Sequence, residues 1–278
     1  MGAAASFLAR PQRLAARAPE GDIPRMDWRG GPLDCEACAY IDLRARPNEE
    51  ISGHGCQPGH ACMQDAYARR IDRFFRWHPE LADQQLEHPY FEVRAIAARH
   101  ASVFRLNGLM NDPDETVRLQ VAARLPPAQL ERLMHDPHRE VRLRVAQRID
   151  PVRLGGMRHD SDYGVREIVA QRLPLALLAT LAHDPERSVR EIVARRLPMP
   201  TLFILVGDPE PEVRRAVAES LPEALLGRMA DDPDWRVRWE VARRVPLAQL
   251  AALRDDTDSE VRQMVRDRLA EPREAPHG

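Results

Sequence analysis

Apolar and polar positions alternate along most of this chain with one fixed period. Val-Arg pairs begin at Val93, Val117, Val141, Val165, Val189, Val213, Val237 and Val261, each 24 residues after the last. The unit reads D-P-x-x-x-V-R-x-x-V-A-x-R-L-P-x-x-x-L-x-x-L, and a period of this length marks a repeat array. In the fifth unit Val189, Val193, Ala194 and Leu197 fall at i, i+4, i+5 and i+8, which is one face of a helix. Asp184-Pro185 reads as its start, with Asp as the N-cap and Pro at the next position, where a missing donor costs nothing. Pro198 ends it, because the residue before a proline is pushed out of the α region. Leu202 and Leu205 then sit three apart, as do Leu130 and Leu133, Leu178 and Leu181, and Leu250 and Leu253. With about eight residues left before the next Asp, this spacing predicts a 3₁₀ turn or a single α turn.

The expected fold is all-α: a solenoid of eight 24-residue repeats in which α-helices alternate with short helical turns. Ordinary leucine-rich repeats can share the period, but their strand pattern is absent. Asp112, Asp136, Asp160, Asp184, Asp208, Asp232 and Asp256 each lie six residues before a repeated Arg, from Arg118 to Arg262. The row resembles the Asp and Arg ladder of HEAT-like repeats. Because each Arg has a matching Asp, it predicts an internal ladder rather than a stripe for phosphate. The ends differ from the middle, as capping units must. Arg266 replaces the usual Ala in the last unit, and His88 replaces Asp in the first, whose apolar side should be covered by the preceding residues.

Composition adds constraints. The chain has 278 residues and a net charge of −2, with 11 Arg against 13 acids in residues 1–87 and 30 against 30 beyond, so charge alone does not favour nucleic acid. All 41 basic residues are Arg, which excludes a Schiff-base or P-loop lysine. Aromatics at 5% suit thin helical layers. No apolar run reaches the roughly 18 residues of a membrane span. Arg10, Arg13 and Arg17 faintly suggest a transit peptide, and Met1-Gly2 to Ser6 fits a myristoylation pattern, but the reading for this end is a disordered tail on a cytoplasmic protein.

The four cysteines are Cys35, Cys38, Cys56 and Cys62, and the repeats contain none. Without an export signal, this clustering points to metal rather than disulfides. Four thiolates suit tetrahedral zinc or the corners of an iron-sulfur cluster, and spacing alone fits both. Gly53, Gly55 and Gly59 around the second pair allow close approach of the backbone and would turn N–H groups toward sulfur.

These cysteines together with the repeats from about residue 88 to 270 resemble the leucine-rich repeat variant proteins. The resemblance implies a small 4Fe-4S domain ahead of a right-handed superhelix of alternating α and 3₁₀ helices. It implies that Cys35, Cys38, Cys56 and Cys62 hold a 4Fe-4S cluster, with zinc as the alternative. The resulting organisation is a disordered tail at 1–33, the cluster domain and a capping helix at 34–87, the solenoid at 88–270 and a polar tail at 271–278.

With four thiolates available, His54 and His60 are expected outside the ligand set. His135, His159 and His183 occupy one position in three successive units, where layers about 8–10 Å apart are too distant to share a metal. Residues 63–77, including Ile71, Phe74, Phe75 and Trp77, predict an amphipathic helix that plugs the first repeat and couples the metal centre to the array.

No H-E-x-x-H, G-x-S-x-G or Gly-rich phosphate loop occurs, so the chain reads as a non-enzyme. Three functions compete: a redox-responsive or electron-transfer protein that docks an unidentified protein partner, an interaction scaffold with a static cluster, and a HEAT-like nucleic-acid binder. Trp235 and Trp239 flank Val237 beside Arg236, Arg238 and Arg243; the reading is an exposed pair that contacts a protein partner or stacks on bases, with packing at the edge of the core as the equal alternative.

Overall fold

The 24-residue period is realised as a regular alternation of helix and turn. The computed structural model describes residues 23–44 and 55–270 and divides into two compact units, Met1–Ala101 and Ser102–Gly278. The first holds α1 (Ala68–Trp77) and α2 (Phe91–His100). The second holds α3 (Glu115–Arg124), α4 (Arg139–Arg148), α5 (Tyr163–Arg172), a single turn α6 (Leu175–Leu178), α7 (Arg187–Arg196), α8 (Pro211–Ser220), α9 (Trp235–Arg244) and α10 (Ser259–Ala270). Between them run 3₁₀ segments such as Pro127–Leu133, Pro151–Met157 and Glu223–Met229. Among the described residues there is no β-strand, only isolated bridges, and no helix is long and apolar enough to cross a membrane.

The core of the second unit is the repeated apolar set. Val165, Val169, Ala170, Leu173 and Leu178 are fully buried in one repeat, and their equivalents are buried in the other repeats except the last, where Leu269 is exposed and Arg266 replaces the alanine. Each 3₁₀ turn therefore lays two leucines or a leucine and a methionine beneath the neighbouring helices, and burying each such side chain is worth about 1.5–3 kcal/mol.

The ladder is internal, with a different role for its Asp than the sequence suggests. Arg118, Arg142, Arg166, Arg190, Arg214 and Arg238 each grip the Asp of the following repeat in a two-pronged pair, with Nε–Oδ2 distances of 2.7–2.8 Å and Nη2–Oδ1 distances of 2.8–3.1 Å. Nη1 of the same Arg donates to the backbone carbonyl of the Asp in its own repeat, as from Arg166 to Asp160 at 2.8 Å. The carboxylate also accepts an N–H two residues on, as Asp184 does from Glu186 at 2.9 Å. The repeated Asp is thus a turn residue, not the N-cap: in the fifth unit the cap is Glu186 and the helix begins at Arg187. Where a cap side chain does bind, it is the residue two further on, such as Asp114, Asp162 and Asp234.

A second row of arginines closes the helix ends. Arg148, Arg172, Arg196, Arg244 and Arg268 reach back to carbonyls at the C-terminus of the preceding long helix, at 2.5–3.0 Å, for example from Arg196 to Ala170 and Leu173. These carbonyls have no partner inside their own helix, so the clamp satisfies them and opposes the negative end of the dipole. The sixth unit breaks the row. Ser220 takes the Arg position and bonds to Ala216 of its own helix at 2.9 Å, and no arginine among the described residues reaches Ala194 or Leu197. Ser220→Arg should restore the clamp and raise stability by about 1 kcal/mol, read as a higher urea midpoint; an unchanged or lower midpoint would show that the joint cannot accept it.

Candidate metal centre

Within the first unit, the fold brings all four cysteines to one cavity. Cys35, Cys38, Cys56 and Cys62 line it together with Leu33, Asp34, Tyr40, Ile41, Arg44, Pro58 and Gln64. Cys56 and Cys62 are buried, and Cys35 and Cys38 are half-buried.

Short backbone contacts place each sulfur. The 3₁₀ turn Ile41–Leu43 follows directly from Cys38, whose carbonyl accepts from Ile41 at 3.1 Å, and Leu43 O accepts from Cys56 N–H at 2.7 Å. Between the last two cysteines Gln57 and Ala61 pair in both directions at 2.8 Å around Pro58-Gly59. Gly59 has φ +81°, the value the third residue of a type II turn requires, and a Cβ there would fall 2.6 Å from Arg25 Nε. Among the described residues, Tyr40 N–H points at Cys38 Sγ at 3.5 Å, and the N–H groups of Gln64 and Asp65 point at Cys62. Gly53 and His54 lie outside the described residues.

The thiols titrate as a crowded set. The hydrogen bond that Cys56 donates to Cys62, and then burial, push the Cys56 thiol far above its ordinary range. Accepting that bond, Cys62 is drawn below it. Burial pushes Cys35 up, Cys62 adds to this, and the Arg44 guanidinium opposes it. A cation beside Cys35 and Cys56 would favour their ionisation, the condition under which thiolates become metal ligands.

Beneath the cysteines lies a buried ion pair that the sequence reading missed. Arg70 Nη1 meets Asp65 Oδ2 at 2.9 Å, with side chains 3% and 1% exposed. The same guanidinium bonds to the carbonyls of Pro24 at 3.1 Å and Ile23 at 2.9 Å, and Ala66 N–H donates to Met26 O at 2.9 Å. Residues 23–33, assigned from sequence to the tail, are thereby held against the module; residues 1–22 and 271–278 lie outside the described residues. An acid three residues after Cys62 and an Arg five further on was the available signal.

The helix read at 63–77 forms from Ala68, and its apolar face is buried as expected. Ile71, Phe74 and Phe75 are fully buried, with Phe75 stacked on His100 of the first repeat's helix at 6.4 Å. Tyr40, on the cavity wall, packs edge-on against Phe74 at 5.9 Å and accepts a hydrogen bond from Gln85 at 2.5 Å. His60 is outside the cavity, bonded to Arg73 at 2.7 Å and packed on Trp77. The first repeat's helix belongs to the same compact unit as the cysteines.

The remaining sequence candidates lie in the second unit. His135, His159 and His183 are exposed. Trp235 is exposed but Trp239 is half-buried, beneath the guanidinium of Arg243, which lies 6.0 Å from its ring and pairs with Glu240. Both tryptophans line a surface groove with Arg215, Glu219, Arg236 and Glu260.

Among the described residues no three His, Cys, Asp or Glu side chains converge at the spacing of one metal ion. The four cysteines instead line one cavity together. The donor set fits a group with several attachment points.

The architecture defines a class: a helical repeat protein with a four-cysteine metal-binding module ahead of its repeats. Residues 25–84 match the sequence family described as LRV protein FeS4 cluster, and residues 115–138, 163–186 and 211–234 match the leucine rich repeat variant family. A solved structure titled as a leucine-rich repeat variant with a novel repetitive structural motif is 43% identical and superposes with a TM-score of 0.76, covering 85% of this chain and 98% of that one. The chain belongs to the leucine-rich repeat variant family, and its N-terminal unit is that family's iron-sulfur module. A protein of Rhodobacter capsulatus described as an uncharacterized 27.7 kDa protein in the nifB 3' region is 52% identical over 110 residues, 40% of this chain and 42% of that protein.

Proposed function

We propose that Cys35, Cys38, Cys56 and Cys62 hold a 4Fe-4S cluster, and that the protein is a cytoplasmic redox-responsive or electron-transfer protein whose repeats dock a protein partner. The observation that carries this reading is the placement of all four thiols on one cavity within the family's FeS4 module. A single zinc ion would draw every sulfur to about 2.3 Å from one point, whereas an iron-sulfur cluster takes each thiolate at a separate corner. The cavity that the four thiols line lies within the module that the family describes as an FeS4 cluster, which favours the cluster over a single zinc ion. When bound, the cluster supplies a site that gains or loses one electron.

The protein's own groups do the rest. The cysteines bind; Tyr40, Gln64 and Asp65 offer N–H groups that stabilise negative sulfur; Leu33, Ile41 and Pro58 exclude water from the walls. The Trp235 and Trp239 groove supports a protein partner, because desolvated tryptophan and arginine are the side chains that dominate such contacts. Nucleic acid is disfavoured, since both arginine rows are engaged with carboxylates and carbonyls inside the fold.

Protein purified without oxygen should be brown, contain iron and acid-labile sulfide in equal amounts, and lose visible absorption when dithionite is added. Colourless protein with stoichiometric zinc would overturn the cluster assignment.

A further inference from the structure

The cavity wall carries two charged side chains among its described residues, of opposite sign: Asp34 and Arg44. We propose that Arg44 is the residue that sets the affinity of the bound cluster for an electron, with Asp34 opposing it. The inference rests on the cluster reading above and concerns the chain's own residues.

The geometry supports this for three reasons. First, Arg44 is fixed at the wall by its backbone: its N–H donates to Ile41 O at 2.9 Å, and it forms a bridge with the ligand Cys56. Its position relative to the sulfurs is therefore tied to the same contacts that place them. Second, Arg44 lines the same cavity as all four thiols. Third, Asp34 is committed to the turn that presents Cys35, accepting from Glu36 N–H at 3.0 Å and Ala37 N–H at 3.1 Å. Its charge consequently stays beside the cluster as well.

Taking up one electron from a low-potential one-electron donor adds one negative charge to the cluster and neither forms nor breaks a bond. A fixed cation in the wall favours the charged product and a fixed anion disfavours it, and net charge near the cluster is one of the levers on its potential. Arginine suits the role because it stays protonated at any working pH. The two residues are exposed and lie on the same wall as the half-buried cysteines, so a partner approaching this side would cover them and strengthen their effect by excluding water.

The test is a redox titration of the anaerobically purified full chain with dithionite, followed by visible absorption, with iron content measured on each sample. Arg44→Gln should retain iron and move the midpoint to more negative potential. The ratio of reduced to oxidised cluster at the unmodified midpoint should fall roughly threefold, the scale of a single solvent-screened charge. Arg44→Lys should leave the midpoint near its original value, and Asp34→Asn should move it the opposite way. Iron-loaded variants with unmoved midpoints would overturn this inference while leaving the cluster reading intact. Absence of iron from the unmodified protein would overturn the cluster reading instead. If Arg44→Gln alone fails to load, the opposite shift in Asp34→Asn and the retention in Arg44→Lys still decide the question.

Discussion

Cys62→Ser should yield a protein that does not keep iron or visible absorption after anaerobic purification, while its far-UV helical signal is retained. Cys62 is 4% exposed and is the best-embedded of the four thiols. Its N–H donates to Arg70 O at 3.1 Å, its sulfur accepts from Cys56 and two backbone N–H groups, and three residues later comes Asp65, whose pair with Arg70 anchors residues 23–26. A serine oxygen is a harder and smaller donor, poorly matched to iron-sulfur chemistry, and it cannot be replaced from nearby because His60 is turned away onto Arg73. The repeats of the second unit have their own core and should remain folded. Iron assay and absorption check the first statement and circular dichroism the second. Full iron content in this variant would remove Cys62 from the ligand set.

Asp184→Ala should be the most damaging single change in the repeats, costing about 3–5 kcal/mol in urea unfolding. Arg166 and Asp184 are 9% and 7% exposed, so the substitution leaves a buried guanidinium facing no carboxylate, and it also deprives Glu186 N–H of its acceptor. Adding Arg166→Met should recover part of the loss, because an apolar side chain of similar length does not need the carboxylate. A loss below about 1 kcal/mol for Asp184→Ala would place the pair with ordinary surface ion pairs and refute its structural role.

Much of this organisation could be read from residue order. The buried set Val165, Val169, Ala170, Leu173 and Leu178 follows directly from the period, since helical spacing and burial are the same fact seen twice. The three-residue leucine spacing foretold the 3₁₀ turns for the same reason. The gathering of four cysteines in 28 residues (35–62) foretold a shared site. What escaped was every feature decided by competition between distant groups. Asp184 has the chemistry of an N-cap, but Arg166, 18 residues earlier, claims it. Arg196 looks like a solvated residue at a helix end until the carbonyls of Ala170 and Leu173 come within reach. The N–H groups that Tyr40, Gln64 and Asp65 turn toward sulfur also escaped, because the turns that present them depend on tertiary packing. Trp239 is half-buried for a similar reason, since Arg243 folds over it to reach Glu240.

The Asp–Arg pairs have a consequence for how the chain reaches this state. Each joins residues 18 apart, and the arginine clamps span 23 to 26, so among the described residues no strong polar contact of the second unit closes a long loop. Entropy lost on closure grows with loop length, and folding slows as contacts become more distant in sequence. Any two adjacent repeats can therefore act as a nucleus, with growth proceeding outward one 24-residue step at a time.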